Sequence, residues 1–190
     1  MSPSNSPSKG APLPLATLHQ IQAFLSFGPE DAKNLRSLLP VVEQHGPGIT
    51  DRFYEQLGQN ADTAKHIAGR VDALKATHRE WMRTLVGGEY GDDYLISRWK
   101  IGQAHVRVGL DPYWVEAVMS SIRTEMLTAI VKEVASPEEA AAKYASFCKA
   151  CDLDVIIINL SYSEDRLDRI TDFTGMKRGL VENIIRLPRK

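Results

Sequence analysis

The chain has 190 residues, of which 43% are hydrophobic, so it is long enough to form one domain with a substantial core. Its net charge of −1 gives no reason to expect a nucleic acid or an anionic membrane surface as a partner. No apolar run is long enough to span a bilayer, and the N-terminus lacks the charged and apolar segments of a signal peptide, so we expect a cytoplasmic protein.

The first half of the chain is predicted to contain a tail and several short helices. Residues 1–14 are rich in Ser and Pro, which favours a disordered tail. A helix is predicted over residues 15–25, and the next is predicted to begin at Pro29, since proline is favoured in the first turn of a helix. The sequence Gly46-Pro47-Gly48 is predicted to break the chain before a third helix, and residues 60–67 show no clear pattern.

The second half of the chain is predicted to contain longer helices. One spans residues 71–86 and ends at two glycines, and another begins at residue 92 or 93 and carries His105. Asp111 and Pro112 predict the beginning of the next helix, and residues 136–139 form a capping box that opens a last helix of about thirty residues. The pattern as a whole predicts an all-α fold of roughly seven or eight helices, of which the last two are long.

The last helix carries an apolar run at residues 155–158. Its sequence, Val-Ile-Ile-Ile, places apolar side chains on every side of the helix. One interpretation is that one face packs in the core and the other contacts a partner, in a symmetric homodimer built from a four-helix bundle of the last two helices. The other interpretation is a single wide stripe that faces the core of one chain.

His105 is the most informative residue of the sequence. It is expected to lie in the middle of a helix, with Gly102 and Gly109 on the same face and Ile101 and Val108 beside them. A single imidazole on an apolar surface with little side-chain bulk could reach a metal at the centre of a flat apolar ligand, and haem fits this description. The alternative is a histidine hydrogen-bonded at the edge of the core, with glycines that only allow two helices to approach.

Three segments resemble the sensor globins, a family that comprises the globin domains of globin-coupled sensors and their single-domain and protoglobin relatives. Residues 101–114, IGQAHVRVGLDPYW, are similar to the family's proximal-histidine motif, I-x-x-x-H-x-R-[IV]-G-L-x-P-x-W. Residues 49–57, ITDRFYEQL, resemble the distal B-helix motif with its Phe-Tyr pair, and residues 71–77, VDALKAT, resemble the E-helix segment that faces the haem. The segments follow the family's order, and with residues 27–31 the likeness covers about residues 15–162.

The resemblance implies a globin-like fold with an additional N-terminal helix and two long C-terminal helices that form a dimeric four-helix bundle. It places the globin sensor domain at residues 15–165 and leaves residues 166–190 as a C-terminal extension or the start of a linker. The cofactor that it implies is haem b, iron protoporphyrin IX.

The resemblance also implies a role for each matching position. His105 matches the proximal ligand of the haem iron, and Tyr54 matches the distal tyrosine that donates a hydrogen bond to bound gas. Thr77 matches a distal position where some members have a hydroxyl, so two donors could compete for one ligand and give two hydrogen-bonded states. The remaining positions are expected to form the walls of the haem pocket: Phe53, Leu74, Ile101, Val108 and Trp114.

The sequence departs from the family's pattern at one position and carries four further histidines. Val115 stands where many relatives have a tyrosine that can contact the proximal histidine, so the ring N–H of His105 is expected to bond a backbone carbonyl or water. His78 is a candidate for a second iron ligand, but its place about 100° around the helix from Thr77 disfavours this role. The other histidines are expected at the surface or in loops: His19, His45 and His66.

The function that the resemblance implies is haem-based sensing of oxygen. Such a protein binds O2, CO or NO at the iron and passes the ligation state to the final helices, the dimer and an output domain or partner protein. Any catalytic output domain is absent from these 190 residues, so we expect no enzyme. The first alternative is a haem enzyme, either a nitric-oxide dioxygenase or a weak peroxidase with His78 as its acid–base group. The second alternative is a helical interaction module without a cofactor, in which His105 is structural.

Overall fold

The computed structural model describes residues 14–188, and within this range the chain forms nine α-helices and no β-strand. The all-α prediction is therefore confirmed, whereas the predicted tail lies outside the described residues, apart from Pro14. In chain order the helices are α1 (Leu15–Phe24), α2 (Pro29–Ser37), α3 (Leu39–Gln59), α4 (Ala61–Ile67), α5 (Val71–Leu85), α6 (Asp92–Arg107), α7 (Pro112–Glu133), α8 (Pro137–Thr174) and α9 (Arg178–Arg186).

The helix α3 is longer than the sequence predicts. Gly46-Pro47-Gly48 does not break the chain but lies inside α3, so this prediction is wrong. Pro47 lacks a backbone N–H and therefore removes one helical hydrogen bond. The packing of α3 against α5 compensates for this loss, since Val42 and Ile49 on either side of the proline are buried and Gly46 lies against the side chain of Met82.

Two further helix boundaries differ from the prediction. Residues 61–67 form α4, because the side chain of Asn60 accepts a hydrogen bond from the backbone N–H of Asp62 and caps the helix. The helix α8 has 38 residues and continues through the expected domain boundary at residue 165. It ends at Gly175, whose φ of +68° is favourable only for glycine.

The short helix α9 packs back against the end of α8. Val181 is buried in this contact. The guanidinium of Arg178 forms ion pairs with Glu164 and Asp168 of α8 and with Glu182 of its own helix. The predicted C-terminal extension therefore consists of the end of α8 and the helix α9, which is attached to α8.

The helix α8 is the central element of the fold, and it packs against α2, α6 and α7. The side chains with no exposed surface in its middle are Phe147, Ala150, Cys151, Leu153, Asp154 and Ile157. Within the run at residues 155–158, Ile157 and Ile158 are buried, whereas Val155 and Ile156 are half-buried. The run is therefore shared between the core and a partly exposed side of α8.

Gly102 lies at a close approach of α6 and α8. A Cβ atom added to it would overlap Oγ of Ser161 and would lie 3.1 Å from Cα of Ile158. This glycine therefore serves helix packing, which is the second of the two interpretations of the glycines near His105. Gly109 lies beyond α6, where its φ of +68° allows the turn toward α7.

Replacing Gly102 with alanine is expected to lower the free energy of unfolding by about 1–3 kcal/mol, because the added methyl group forces α6 and α8 apart. Gly58→Ala is the matched control, since Gly58 lies in α3 with no atom within 4 Å of the added Cβ. The control is expected to raise stability by about 0.5–1 kcal/mol through helix propensity. Urea denaturation measures the free energy of unfolding of both variants. Equal changes in the two variants would contradict the close contact between α6 and α8.

Candidate functional site

A cavity of about 330 Å³ lies among α3, α4, α5, α6 and α7, and α8 contributes Ile158 to its wall. This volume falls within the range of roughly 300–1,000 Å³ that ligand and cofactor sites occupy. The lining is largely apolar, and all eight residues predicted for the haem site belong to it: Phe53, Tyr54, Leu74, Thr77, Ile101, His105, Val108 and Trp114. The structure thus brings these residues together, and their individual roles stay predictions.

His105 lies in the last turn of α6 rather than in the middle of a helix, since α6 ends at Arg107. Its Nδ1 is buried and has no hydrogen-bond partner among the described residues, so the expected backbone carbonyl acceptor is not found. Burial lowers the pKa of His105. The ring is therefore neutral near pH 7, and a neutral imidazole is the form that binds iron.

The segment that follows His105 is held against α8 by Tyr162. The hydroxyl of Tyr162 donates a hydrogen bond to the backbone carbonyl of Leu110, with an oxygen–oxygen distance of 2.6 Å. Tyr162 also packs with Val115 and Ile158 in a small buried cluster. Val115 therefore contributes apolar packing on this side of the cavity.

Tyr54 is a buried phenol in the wall that α3 provides. Its ring centroid lies 4.5 Å from that of Phe53, and both side chains are less than one-tenth exposed. Burial raises the pKa of Tyr54 to about 12, so its hydroxyl keeps its proton at neutral pH. The hydroxyl makes no hydrogen bond within the described residues, and it is therefore a donor available to a ligand.

Thr77 lines the cavity but is exposed. Its Oγ1 donates a hydrogen bond to the backbone carbonyl of Ala73, one turn earlier in α5, at 3.0 Å. Threonine inside a helix commonly forms this bond within its own helix. The geometry therefore gives no support to Thr77 as a second donor to a bound gas.

His78 also lines the cavity and is closely packed. Its Nδ1 lies 2.9 Å from Oγ1 of Thr50, and its ring centroid lies 5.0 Å from that of Phe53. Its Nε2 is buried and has no hydrogen-bond partner within residues 14–188. Burial, assisted by the charge of Arg79, lowers the pKa of His78 to about 4, so the ring is neutral.

The low pKa of His78 predicts that the protein loses stability in acid. Between pH 6.5, the ordinary pKa in the unfolded chain, and about 4, the unfolded state binds a proton that the folded state does not bind. The contribution of the neutral ring is fully present above pH 6.5 and is lost as the pH falls to about 4. We expect the free energy of unfolding of His78→Gln, measured in urea at several pH values in this window, to depend less steeply on pH than that of the unaltered protein. An unchanged dependence would contradict the assignment.

Several side chains that line the cavity were not predicted from the sequence, and His66 and Trp81 are two of them. His66, which the sequence places at the surface, lines the cavity because residues 61–67 fold as α4. Trp81 lines the cavity from α5. The sequence indicates this position, because Leu74, His78 and Trp81 follow one another at helical spacing and so share one face of the helix.

An all-α fold around a largely apolar cavity, with a neutral and unpartnered histidine in its wall, defines the class of the globins. A profile of the Protoglobin family matches residues 15–168, and the chain belongs to this family. The predicted resemblance to sensor globins and the globin-like fold are thus confirmed. Within residues 14–188, no helix combines the length and the apolar character that crossing a membrane requires.

The proteins to which this chain is similar include a transducer and two globin domains of solved structure. The heme-based aerotactic transducer HemAT of Halobacterium salinarum is 26% identical over 175 residues, which cover 84% of this chain and 36% of the transducer. This chain therefore spans about a third of that relative's length. The globin domain of a Geobacter sulfurreducens globin-coupled sensor has a TM-score of 0.72 and 34% identity, covering 76% of this chain and 96% of that one. The ferric globin domain of E. coli DosC has a TM-score of 0.63 and 16% identity, covering 76% of this chain and 98% of that one. At this identity, the likeness shows the fold alone.

The site fits haem, the cofactor that membership in this family implies. A porphyrin ring needs an apolar cavity, and the lining is largely apolar. Its iron needs a nitrogen donor that is not already engaged, and the imidazole of His105 has no hydrogen-bond partner within the described residues. Both requirements are met in one cavity.

Proposed function

We propose that this protein is a haem-based oxygen sensor whose iron is bound by His105. The observation that carries the proposal is a neutral, unpartnered imidazole in the wall of a largely apolar cavity. When bound, haem supplies an iron that takes a diatomic gas, O2, CO or NO, as a ligand. The side chains that hold the porphyrin and exclude water are the apolar wall residues Phe53, Leu74, Ile101, Val108 and Trp114.

Tyr54 gives this site its preference for oxygen. A haem held by this site would supply an iron that polarises oxygen more than carbon monoxide, so oxygen would gain more from a nearby hydrogen-bond donor. A hydrogen bond from a buried phenol stabilises the more polar ligand by roughly 1–1.5 kcal/mol. The hydroxyl of Tyr54 keeps its proton and has no partner within the described residues, so it can make this bond.

Replacing Tyr54 with phenylalanine is expected to increase the rate of oxygen dissociation about tenfold, because the variant loses a hydrogen bond of about 1.4 kcal/mol to the ligand. The dissociation rate of carbon monoxide is expected to change little. Stopped-flow measurement of both gases on the haem-loaded protein checks the prediction. Equal increases for both gases would show that the variant disturbs packing rather than a hydrogen bond.

Thr77→Val is the matched control for this experiment. Thr77 lines the same cavity, but its hydroxyl already donates to the carbonyl of Ala73. We therefore expect the valine variant to release oxygen at nearly the rate of the unaltered protein. A large increase in the oxygen dissociation rate of this variant would instead support Tyr54 and Thr77 as the two competing donors that the sequence predicts.

The cavity supports sensing better than it supports catalysis. A peroxidase needs an acid–base group whose pKa suits proton transfer at neutral pH. His78, the candidate from the sequence, has a pKa of about 4. Its Nδ1 is also engaged with Thr50. The gas-free ferrous spectrum tests whether Nε2 of His78 also binds the iron, because it would show a single histidine ligand if His105 alone holds the haem.

We also propose that the ligation state passes to a second copy of the chain and to an output. Leu127 and Val131 on α7 are 40% and 61% exposed, and Val155 and Ile156 on α8 are half-buried, which supports a homodimer through these two helices. The output is an attached domain or a partner protein. Sedimentation of the haem-loaded protein tests the dimer, and a monomeric mass at micromolar concentration would contradict it.

A further inference from the structure

Asp154 is a fully buried carboxylate of α8 that joins α8 to two other helices. Its Oδ1 accepts a hydrogen bond from the hydroxyl of Tyr94 on α6. Its Oδ2 accepts one from the indole N–H of Trp81 on α5, at 2.8 Å, and lies 2.9 Å from Nε of Arg98 on α6. Both oxygens are therefore engaged by the helices that provide two walls of the cavity.

Trp81 connects this carboxylate to the cavity. Its indole lines the cavity, and its ring centroid lies 5.2 Å from that of His78. An occupant of the cavity therefore packs against a side chain whose N–H is bonded to Asp154. Arg98 strengthens the link, because it also donates a hydrogen bond to Oγ1 of Thr84 on α5 at 3.0 Å.

The hydrogen bond between Trp81 and Asp154 links the position of the indole to α8. A buried carboxylate that loses a donor keeps its desolvation cost, so breaking this bond is unfavourable. A displacement of Trp81 that keeps this bond therefore requires a matching displacement of Asp154, which lies in the middle of α8. The end of α8, residues 163–174, lies beyond the cavity and holds α9 through the ion pair of Glu164 with Arg178.

We propose that Trp81 and Asp154 are positioning residues that couple the state of the cavity to α8. The inference rests on the proposed function, since it needs a gas ligand at the haem. Gas binding changes the packing of Trp81 in the wall, the hydrogen bond carries this change to Asp154, and the protection of residues 163–174 changes in response.

Amide hydrogen exchange of the haem-loaded ferrous protein, with and without carbon monoxide, tests the proposal. In the unaltered protein, carbon monoxide is expected to change the exchange of residues 163–174. In Trp81→Phe, which keeps an aromatic ring but loses the N–H, this change is expected to disappear, and the Soret shift of the same sample verifies that carbon monoxide is bound. The rate of carbon monoxide dissociation from Trp81→Phe is expected to differ from that of the unaltered protein by about twofold or more.

Trp99→Phe is the matched control. Trp99 is buried on α6 in a cluster with Leu18, Tyr94 and Leu153, but unlike Trp81 it does not line the cavity. Its variant is expected to keep the response of residues 163–174. A response that persists in Trp81→Phe, or is absent from the unaltered protein, overturns the coupling. Absence of a Soret band overturns the proposed function instead.

A second measurement does not depend on the folding of a variant. The unaltered chain is labelled with 5-fluorotryptophan, and fluorine NMR reports on its tryptophans separately. The resonance of Trp81 is expected to shift when carbon monoxide binds, whereas that of Trp99 stays in place. An unshifted Trp81 resonance overturns the proposal.

Discussion

Replacing His105 with alanine is expected to weaken haem binding by more than about 100-fold, because even the loss of a residue that only supports a metal ligand commonly costs 10–100-fold. His105 lines the cavity as a neutral imidazole with no competing partner among the described residues. Its removal leaves space that free imidazole can fill. We therefore expect added imidazole to restore the Soret band, which a merely misfolded variant would not show.

His66→Ala is the control for this experiment. His66 also lines the cavity, but it belongs to α4 and lies outside the motif that surrounds His105. The control is expected to retain haem and its ferrous spectrum. If His105→Ala keeps the spectrum and His66→Ala loses it, the assignment of the iron ligand is wrong.

Replacing Asp154 with leucine is expected to lower the free energy of unfolding by about 3–5 kcal/mol, because removing one partner leaves the other charge buried and unpaired. Arg98 is only 4% exposed in its side chain and would lose its carboxylate. The donors of Trp81 and Tyr94 would lose their acceptor as well. Burial raises the pKa of Asp154 even though Arg98 and these hydrogen bonds oppose the rise, which shows how strongly the site depends on its partners.

Asp152→Leu separates this effect from a general loss of charge on α8. Asp152 is two residues away, exposed, and paired with Arg123 at the surface. Surface pairs contribute roughly 0–1 kcal/mol, so the control is expected to unfold in urea almost as the unaltered protein does. Similar losses in both variants would contradict the special role of the buried carboxylate.

The sequence predicts the cavity well because its residues lie in continuous helical motifs. The segment around His105 and the Phe53-Tyr54 pair each resemble a sensor-globin motif, and this resemblance assigns several wall positions at once. All eight predicted residues therefore line one cavity. The sequence predicts less where tertiary packing decides, as at Pro47, which lies inside α3. At Thr77 the motif does not show that the hydroxyl is engaged within its own helix.

The carboxylate at residue 154 could not be assigned from the sequence. An aspartate in an apolar helix is ordinarily placed at the surface, and nothing in its neighbours along the chain indicates a buried ion pair. Its partners Trp81, Tyr94 and Arg98 lie at least 56 residues away in the sequence, and only the packing of α5, α6 and α8 brings them together. The sequence also does not predict His66 in the cavity, because its place there depends on α4, the helix that Asn60 caps.

The most direct test of the central claim is a titration of the haem-free protein with haem, followed by reduction and exposure to oxygen. The account predicts saturation at one haem per chain, a five-coordinate ferrous spectrum without gas, and a reversible Soret shift with oxygen. A protein that takes up no haem, or whose ferrous haem does not respond to oxygen, would contradict the assignment of the cavity as a gas-binding haem site.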